Sequence, residues 1–519
     1  MNRSLPARTG RAAVAVTAAL AVVTAAAPAA SAHPARPAGG TLILVGGGLK
    51  DDNAEIYREI VARAGGAGSA RIGVLTAASV PPSQDPNAAD PATCSNSACN
   101  GAYYADLFER YGAADAQWIP IDIEHVAAAD SDAVVAQVDA MTGFFFGGGD
   151  QYRYVTSLLH GDAHTDSKVL AAIRAKLAAG AVVSGSSAGA QIASGPDMVT
   201  GGDSYQALRD GSAPGYFEDP TRLGYLPGGG FGFFGPGLLD THTGTYGREG
   251  RAVRLAADTG HDRVFAMDED TAVEVEHAGT RAESVRVLGS HGVGVLDLRH
   301  ARSRTDPAGW SVTGVAYSYL TDGDGYDPRT WQVIPADGKR RLRPTGTEPV
   351  PTDHDAFYAV DDPDGVPYAF SGTARALAAT RVQRTATADT YESAPRSGSP
   401  SPSAGTSVPG RRTVPPPPRS PTWTWRSPRS LPDTEPSETV SAARHGTRLR
   451  RSRLFPPDRA AAAAPRKDRA PWPPSRSPRT SGKGSASAAP PSARSAGCCS
   501  PAGRRRGSRP SRRSPSGRT

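Results

Sequence analysis

Three serines, Ser184, Ser186 and Ser187, crowd the turn in "AVVSGSSAGAQ", residues 181–191. Gly185-Ser186-Ser187-Ala188-Gly189 fits G-x-S-x-G, and only Ser187 takes the central place. A nucleophile there sits on a sharp strand-to-helix turn in strained backbone, so its neighbours two positions away must be small for the turn to close. "AVVSG" supplies the strand and "AGAQIA" the start of the helix. The helix N-terminus adds free N–H groups and a positive dipole end beside the attacking oxygen. The competing explanation is a small-residue turn made only for tight packing.

A serine nucleophile needs a base within hydrogen-bond reach and a group that orients the base. His242, in "GLLDTHTGTYGREGR", stands in a small-residue loop ahead of an arginine-bearing helix and is well presented for that work. His160, His164 and His261 sit at helix ends or polar turns, where surface solvation accounts for them. The orienting carboxylate belongs at a strand end. "RVFAMDEDTAVEVE" offers Asp268, Glu269 and Asp270 directly after an apolar strand, and residue order alone does not choose among the three.

These residues must be positioned by a sheet. From about Gly39 to Arg299 short β-rich runs alternate with amphipathic stretches: "TLILVGGG", then "DDNAEIYREIVARAG", "RIGVLTAAS", "AYYADLFERYGA", "AQWIPIDI", "SDAVVAQVDAM", "GFFFGGGDQ", "HTDSKVLAAIRAKLAAG" and "AVVSGSS". Ile56, Ile60 and Val61 recur at helical spacing, with Asp51 to Asn53 as caps. Such alternation predicts an α/β fold, a mostly parallel sheet with helices on both faces. Its strands end in glycine-rich turns, where such sheets hold their ligands. After about Val285 the pattern turns β-rich and is expected to finish or flank the sheet.

The two ends read differently. Residues 1–32 carry Arg3, Arg8 and Arg11, an Ala/Val-rich run and Ala30-Ser31-Ala32, the pattern of a secretory signal peptide. An uncleaved anchor is the lesser reading, because alanine is weakly apolar and Pro28 interrupts the run. The mature protein is expected to be secreted, with no membrane attachment after cleavage. The catalytic domain is placed at 39–335, followed by a loosely packed Asp- and Pro-rich extension at 336–380. From 381 to 519 the chain holds 28 Lys and Arg against 7 Asp and Glu, with many prolines and no apolar period. That tail is expected to be disordered, whether it serves to bind a surface or comes from a shifted reading frame.

The net charge of +7 is therefore misleading. The tail contributes +21, and residues 33–380 carry 27 basic against 44 acidic side chains, a net of −17. The basic overall balance is no evidence for a nucleic-acid partner. Cys94 and Cys99, close together in a polar stretch, read as a loop-stapling disulfide of an exported protein, since no His or Cys partners stand near them for a metal.

Two other signals are weak. "LILVGGGLKDDN" lacks the third glycine of a dinucleotide fingerprint and the acidic residue that should close a second strand. "TDGDGYDPRT" has Val333 where a calcium loop counted from Asp322 needs a bidentate Glu. No cofactor is expected.

"GFFFGGGDQ", "VVSGSSAGA", "LLDTHTGTYGREGRAVRL" and "FAMDEDTAVEVE", in this order and spacing, resemble the cyanophycinase family, as does "SYLTDGDGYD" further on. The resemblance covers roughly residues 40–335. That family comprises serine peptidases on a class I glutamine-amidotransferase-like, flavodoxin-like sheet and is related to the α-aspartyl dipeptidases. The resemblance implies Ser187 as nucleophile, His242 as base and Glu269 as orienting acid. It implies an oxyanion hole from the N–H of Ala188 and one from the Gly148–Gly149 turn, Gly149 foremost. Gln151, Asp240, Arg248 and Arg251 fall where the family contacts substrate.

The implied activity is exopeptidase cleavage of cyanophycin, a polyaspartate carrying arginines on its side-chain carboxyls, to β-aspartyl-arginine. An α-aspartyl or broader dipeptidase is the alternative within enzymes, and a catalytically silent binding protein on the same fold the alternative outside them. A homodimer is compatible with either. The chain departs from the family at Thr241 and Thr243, where Gln and Phe flank the histidine, and at Tyr246, where an arginine is frequent. These changes touch the substrate lining and leave the catalytic set intact.

Overall fold

Apolar runs without polar alternation form the centre of the sheet, because a strand covered on both faces has no wet side. β1 (Thr41–Val45), β2 (Arg71–Leu75), β3 (Asp115–Trp118), β4 (Gly143–Phe146) and β5 (Val182–Ser186) lie in the order β3-β2-β4-β5-β1, all parallel. Leu42, Leu44, Phe144, Phe146 and Val183 feed one core and Ile43, Val45, Val74, Phe145 and Val182 the other. The computed structural model describes residues 39–393, apart from 217–221, 308, 341–342 and 359–363, together with the backbone of Thr422–Arg426. The expected signal peptide and nearly all of the expected tail lie outside the described residues.

Helices cover both faces. α1 (Ala54–Arg63) and α2 (Ser97–Arg110) bury Ile56, Tyr57, Ile60, Leu107 and Phe108 on one side. α3 (Asp132–Asp139), α4 (Gln151–Leu158) and α5 (Lys168–Ala178) bury Val138, Tyr154, Leu170 and Ile173 on the other. Side chains of Asn53, Asn96, Asp150 and Ser167 accept from the first free N–H groups of α1, α2, α4 and α5, which fixes where each helix begins. α2 starts beside a disulfide joining Cys94 and Cys99, whose Cα atoms are 6.2 Å apart.

Beyond β1 the sheet becomes antiparallel. β8 (Thr271–Glu276) pairs with β1, and β9 (Ser284–Gly289) pairs with β8. Two short strands, Gly325–Asp327 and Gln332–Ile334, complete nine strands in all. The β-rich stretch after Val285 is thus divided. Its other part joins a second, four-stranded sheet in the order β6 (Leu238–Asp240), β7 (Arg263–Met267), β10 (Gly292–Asp297), β11 (Ala316–Thr321). Asp268-Glu269-Asp270 is the corner at which the chain leaves the second sheet at β7 and enters the first at β8. That corner places three carboxylates against the ends of the parallel strands.

The extension is packed more firmly than its Asp- and Pro-rich composition implies. Ala356, Phe357 and Phe370 share a buried cluster with Leu208 of α7 (Ser204–Asp210) and with Ala388. Phe370 lies in the first turn of α9 (Ala369–Ala379), and the strand Thr385–Asp389 pairs antiparallel with Thr422–Arg426, past the expected start of disorder at 381. No period shows here because its few apolar side chains are buried against the body and not along one face of their own.

Candidate active site

The parallel strands β1, β4 and β5 end level with one another, Val45 opposite Ser186 and Phe146 opposite Gly185. Ser187 follows at φ 55° and ψ −118°, and Ala188 opens the short helix α6 (Ala188–Gln191). A β-carbon on Gly185 would lie 2.3 Å from Gly189 O, and one on Gly189 only 1.9 Å from Phe146 O. Both flanking glycines are therefore steric necessities of the elbow. Ser184 is buried and donates to Phe144 O, and Ser186 is buried in the strand, so neither presents its oxygen to the cleft.

Ser187 Oγ lies 2.7 Å from His242 Nε2, and His242 Nδ1 lies 2.5 Å from Glu269 Oε1. A carboxylate only accepts, so Nδ1 carries the proton and Nε2 is left with a lone pair toward the serine hydroxyl. That hydrogen bond from His242 is the largest influence on the Glu269 carboxyl and holds it below its ordinary range, against desolvation. The nearby Thr245 hydroxyl acts in the same direction.

The three acids of the corner do different work. Asp268 is buried, accepts from Gly244 N at 2.8 Å and from Tyr319 OH at 2.6 Å, and burial raises its carboxyl. Asp270 accepts from Lys50 N, Asn53 Nδ2 and Ser290 Oγ. Only the middle residue turns to the imidazole. Ser187, His242 and Asp270 all hold positive φ, at 55°, 54° and 53°. Such backbone costs on the order of 1–3 kcal/mol per residue and persists only where the surroundings dictate it.

The glycines of "VGGGLK" are what the sequence reading missed. His242 N donates to Gly46 O at 2.6 Å and Asp270 N to Gly47 O at 2.8 Å. A β-carbon on Gly47 would lie 2.2 Å from the imidazole Cε1, and one on Gly48 2.8 Å from the Glu269 carboxyl carbon. The turn that looked like a broken nucleotide loop is a floor for the imidazole and the acid. Its signal was present in the run of glycines, but nothing local said which ring would lie against it.

Ala188 is the first residue of its helix, so its N–H has no intrahelical acceptor. Across from it, a β-carbon on Gly148 would sit 3.4 Å from Ser187 Cβ, so this turn lines the serine. At Gly149, φ is +139° and a β-carbon would meet Ala78 O at 2.3 Å, which demands glycine there.

The expected substrate contacts divide. Asp240 and Arg251 hold each other: Arg251 Nε donates to Oδ2 at 2.8 Å and Nη2 to Oδ1 at 2.6 Å, with Nη1 on Gly202 O. Both are buried, so they tie β6 to α8 (Glu249–Thr259) and present no free charge to a ligand. Gln151 donates its amide to Val199 O at 3.2 Å. Arg248 is partly exposed, donates to Thr241 O at 2.9 Å and lies over the Tyr246 ring, whose centroid is 5.4 Å from that of His242. Burial, and next the neighbouring Arg251, push Arg248 down to about 10, which leaves it cationic at neutral pH. Among the described residues no cluster of three or more His, Cys, Asp or Glu is placed to hold a metal.

A serine raised on a strained elbow, in line with an imidazole and a carboxylate, places the fold among the serine hydrolases of mixed α/β architecture. The family model described as peptidase family S51 matches residues 94–282. Cyanophycinases of Nostoc sp. and Synechococcus elongatus are 28% identical over 304 and 301 residues, spanning 57% and 56% of this chain and 88% and 80% of theirs. Among solved structures, a peptidase from an acI-B1 Actinobacterium is 18% identical, with 97% of that chain and 56% of this one covered at a TM-score of 0.36. The family match and these relatives support a serine-type peptidase of family S51.

Proposed function

We propose that the protein is an exported exopeptidase that hydrolyses cyanophycin, or a closely related aspartyl-linked peptide, through Ser187, His242 and Glu269. The observation that carries this reading is the unbroken line from Ser187 Oγ through the imidazole to Glu269, at 2.7 and 2.5 Å. Ser187 attacks the scissile carbonyl as His242 Nε2 takes its proton, and the same nitrogen returns the proton to the leaving amine. Glu269 holds the tautomer and stabilises the imidazolium. The N–H groups of Ala188 and Gly149 are assigned to the oxyanion. A water then repeats the sequence to release the acyl group.

Arg248 is the cation assigned to a substrate carboxylate, since Arg251 is satisfied by Asp240. A second reading, an α-aspartyl or broader dipeptidase, is favoured by that same pairing and by Thr241, Thr243 and Tyr246, which leave less apparatus for a polymer side chain. Mass spectrometry of products from cyanophycin and from Asp-X dipeptides separates the two. Release of β-aspartyl-arginine supports the first reading; turnover of dipeptides alone supports the second.

A further inference from the structure

We infer that Tyr368, contributed by the extension, is a positioning residue for His242 and acts through Gly244 and Thr245 of the loop that carries it. The inference rests on the triad reading above and extends the site to a segment far beyond residue 282, where the family match ends. Tyr368 OH lies 3.1 Å from Thr245 Oγ1, three residues beyond His242 in the loop that carries the base.

The tyrosine is held for this task from several sides. Its backbone N–H donates to Gly244 O at 2.7 Å, and its ring packs so closely on Gly244 that a β-carbon there would lie 2.2 Å from Cδ1. A further support is His291, whose ring stacks on it at 4.6 Å and 14°. Tyr368 itself takes φ 66°, a conformation unfavourable to a bulky residue. Packing alone does not call for a hydroxyl aimed at Thr245. The ring also forms part of the wall of a cavity of about 1060 Å³ shared with Arg375, Lys339 and His354. The loop from His242 to Arg248 is thus clamped between the Asp268 corner and the extension.

The experiment compares full-length Tyr368→Phe, Thr245→Val, their combination and Thr245→Ser. Each is assayed for kcat and KM on the substrate found to be turned over, and for the His242 Nδ1–H signal by NMR, which needs no substrate. Tyr368→Phe keeps the ring stack and removes one neutral hydrogen bond, so kcat is expected to fall about two- to tenfold with KM nearly unchanged. The downfield Nδ1–H signal is expected to broaden or move. Thr245→Val is expected to behave likewise, the double variant to be no worse than the poorer single one, and Thr245→Ser to retain function. An unchanged Nδ1–H signal in Tyr368→Phe, or single effects that multiply in the double variant, overturns the inference. A wild-type protein inert toward every aspartyl peptide counts against the proposed function alone, since the NMR comparison still decides the role of Tyr368.

Discussion

Gly47 lies directly against the His242 imidazole, with room for a hydrogen atom and nothing larger: a β-carbon there would sit 2.2 Å from Cε1 and 2.3 Å from Nε2. Gly47→Ala must therefore push the base off the serine or distort β1, and φ +104° adds strain of its own. A displacement of about 1 Å costs roughly 100-fold in rate. The expected outcome is a loss of kcat of that order with the far-UV circular dichroism retained. A fully active Gly47→Ala protein would contradict the packing described.

Asp240 and Arg251 are assigned a structural role, which their double replacement tests. Arg251→Met leaves the buried Asp240 charge without its partner, at a cost of about 3–5 kcal/mol in urea unfolding. Asp240→Leu with Arg251→Met removes both charges and is expected to recover most of that loss. If the double variant is stable but its KM is raised severalfold, the pair touches substrate after all.

Glu249, at the start of α8, is buried with Oε2 lacking a hydrogen-bond partner. Burial first, then repulsion from Asp268, raises its carboxyl well above the ordinary range. A raised folded-state value means the stabilising contribution is present below the unfolded value near 4.5 and is lost as pH rises through the folded one. Glu249→Gln is therefore expected to gain on the wild type as pH is raised, measured by thermal unfolding between pH 5 and 9. A constant difference across that range would show that the carboxyl does not titrate there.

Glu269 has the opposite sign. His242 first of all holds its carboxyl below the unfolded value of 4.5, so its contribution to stability is present above that value and is lost as pH falls through the folded one. Wild type and Glu269→Gln are expected to differ in stability at pH 7 and to converge in acid. The same substitution should lower kcat far more than KM, because a neutral amide orients the imidazole poorly and cannot balance its charge. Equal kcat in the two proteins would remove Glu269 from the mechanism.

The sequence shows some of this plainly and hides the rest for physical reasons. Ser187 is legible because an elbow needs glycines at 185 and 189 and a buried strand before them, all local requirements. The alternation of apolar runs with capped helices likewise exposes the five parallel strands. Glu269 is not separable from Asp268 and Asp270 by pattern, since the choice depends on which way a corner between two sheets turns. The pairing of Asp240 with Arg251 spans a strand and the following helix, so two residues that look like substrate contacts satisfy each other. Tyr368 is invisible for a stronger reason: it is 99 positions from Glu269 and meets Thr245 only through the folded extension.

Activation of the Ser187 oxygen is tested most directly by peptide-level mass spectrometry after treatment with a fluorophosphonate. The expected result is one adduct, on Ser187, absent from the Ser187→Ala and His242→Ala variants. An adduct on Ser184 or Ser186, or an unmodified wild-type protein under conditions that label other serine hydrolases, would contradict it.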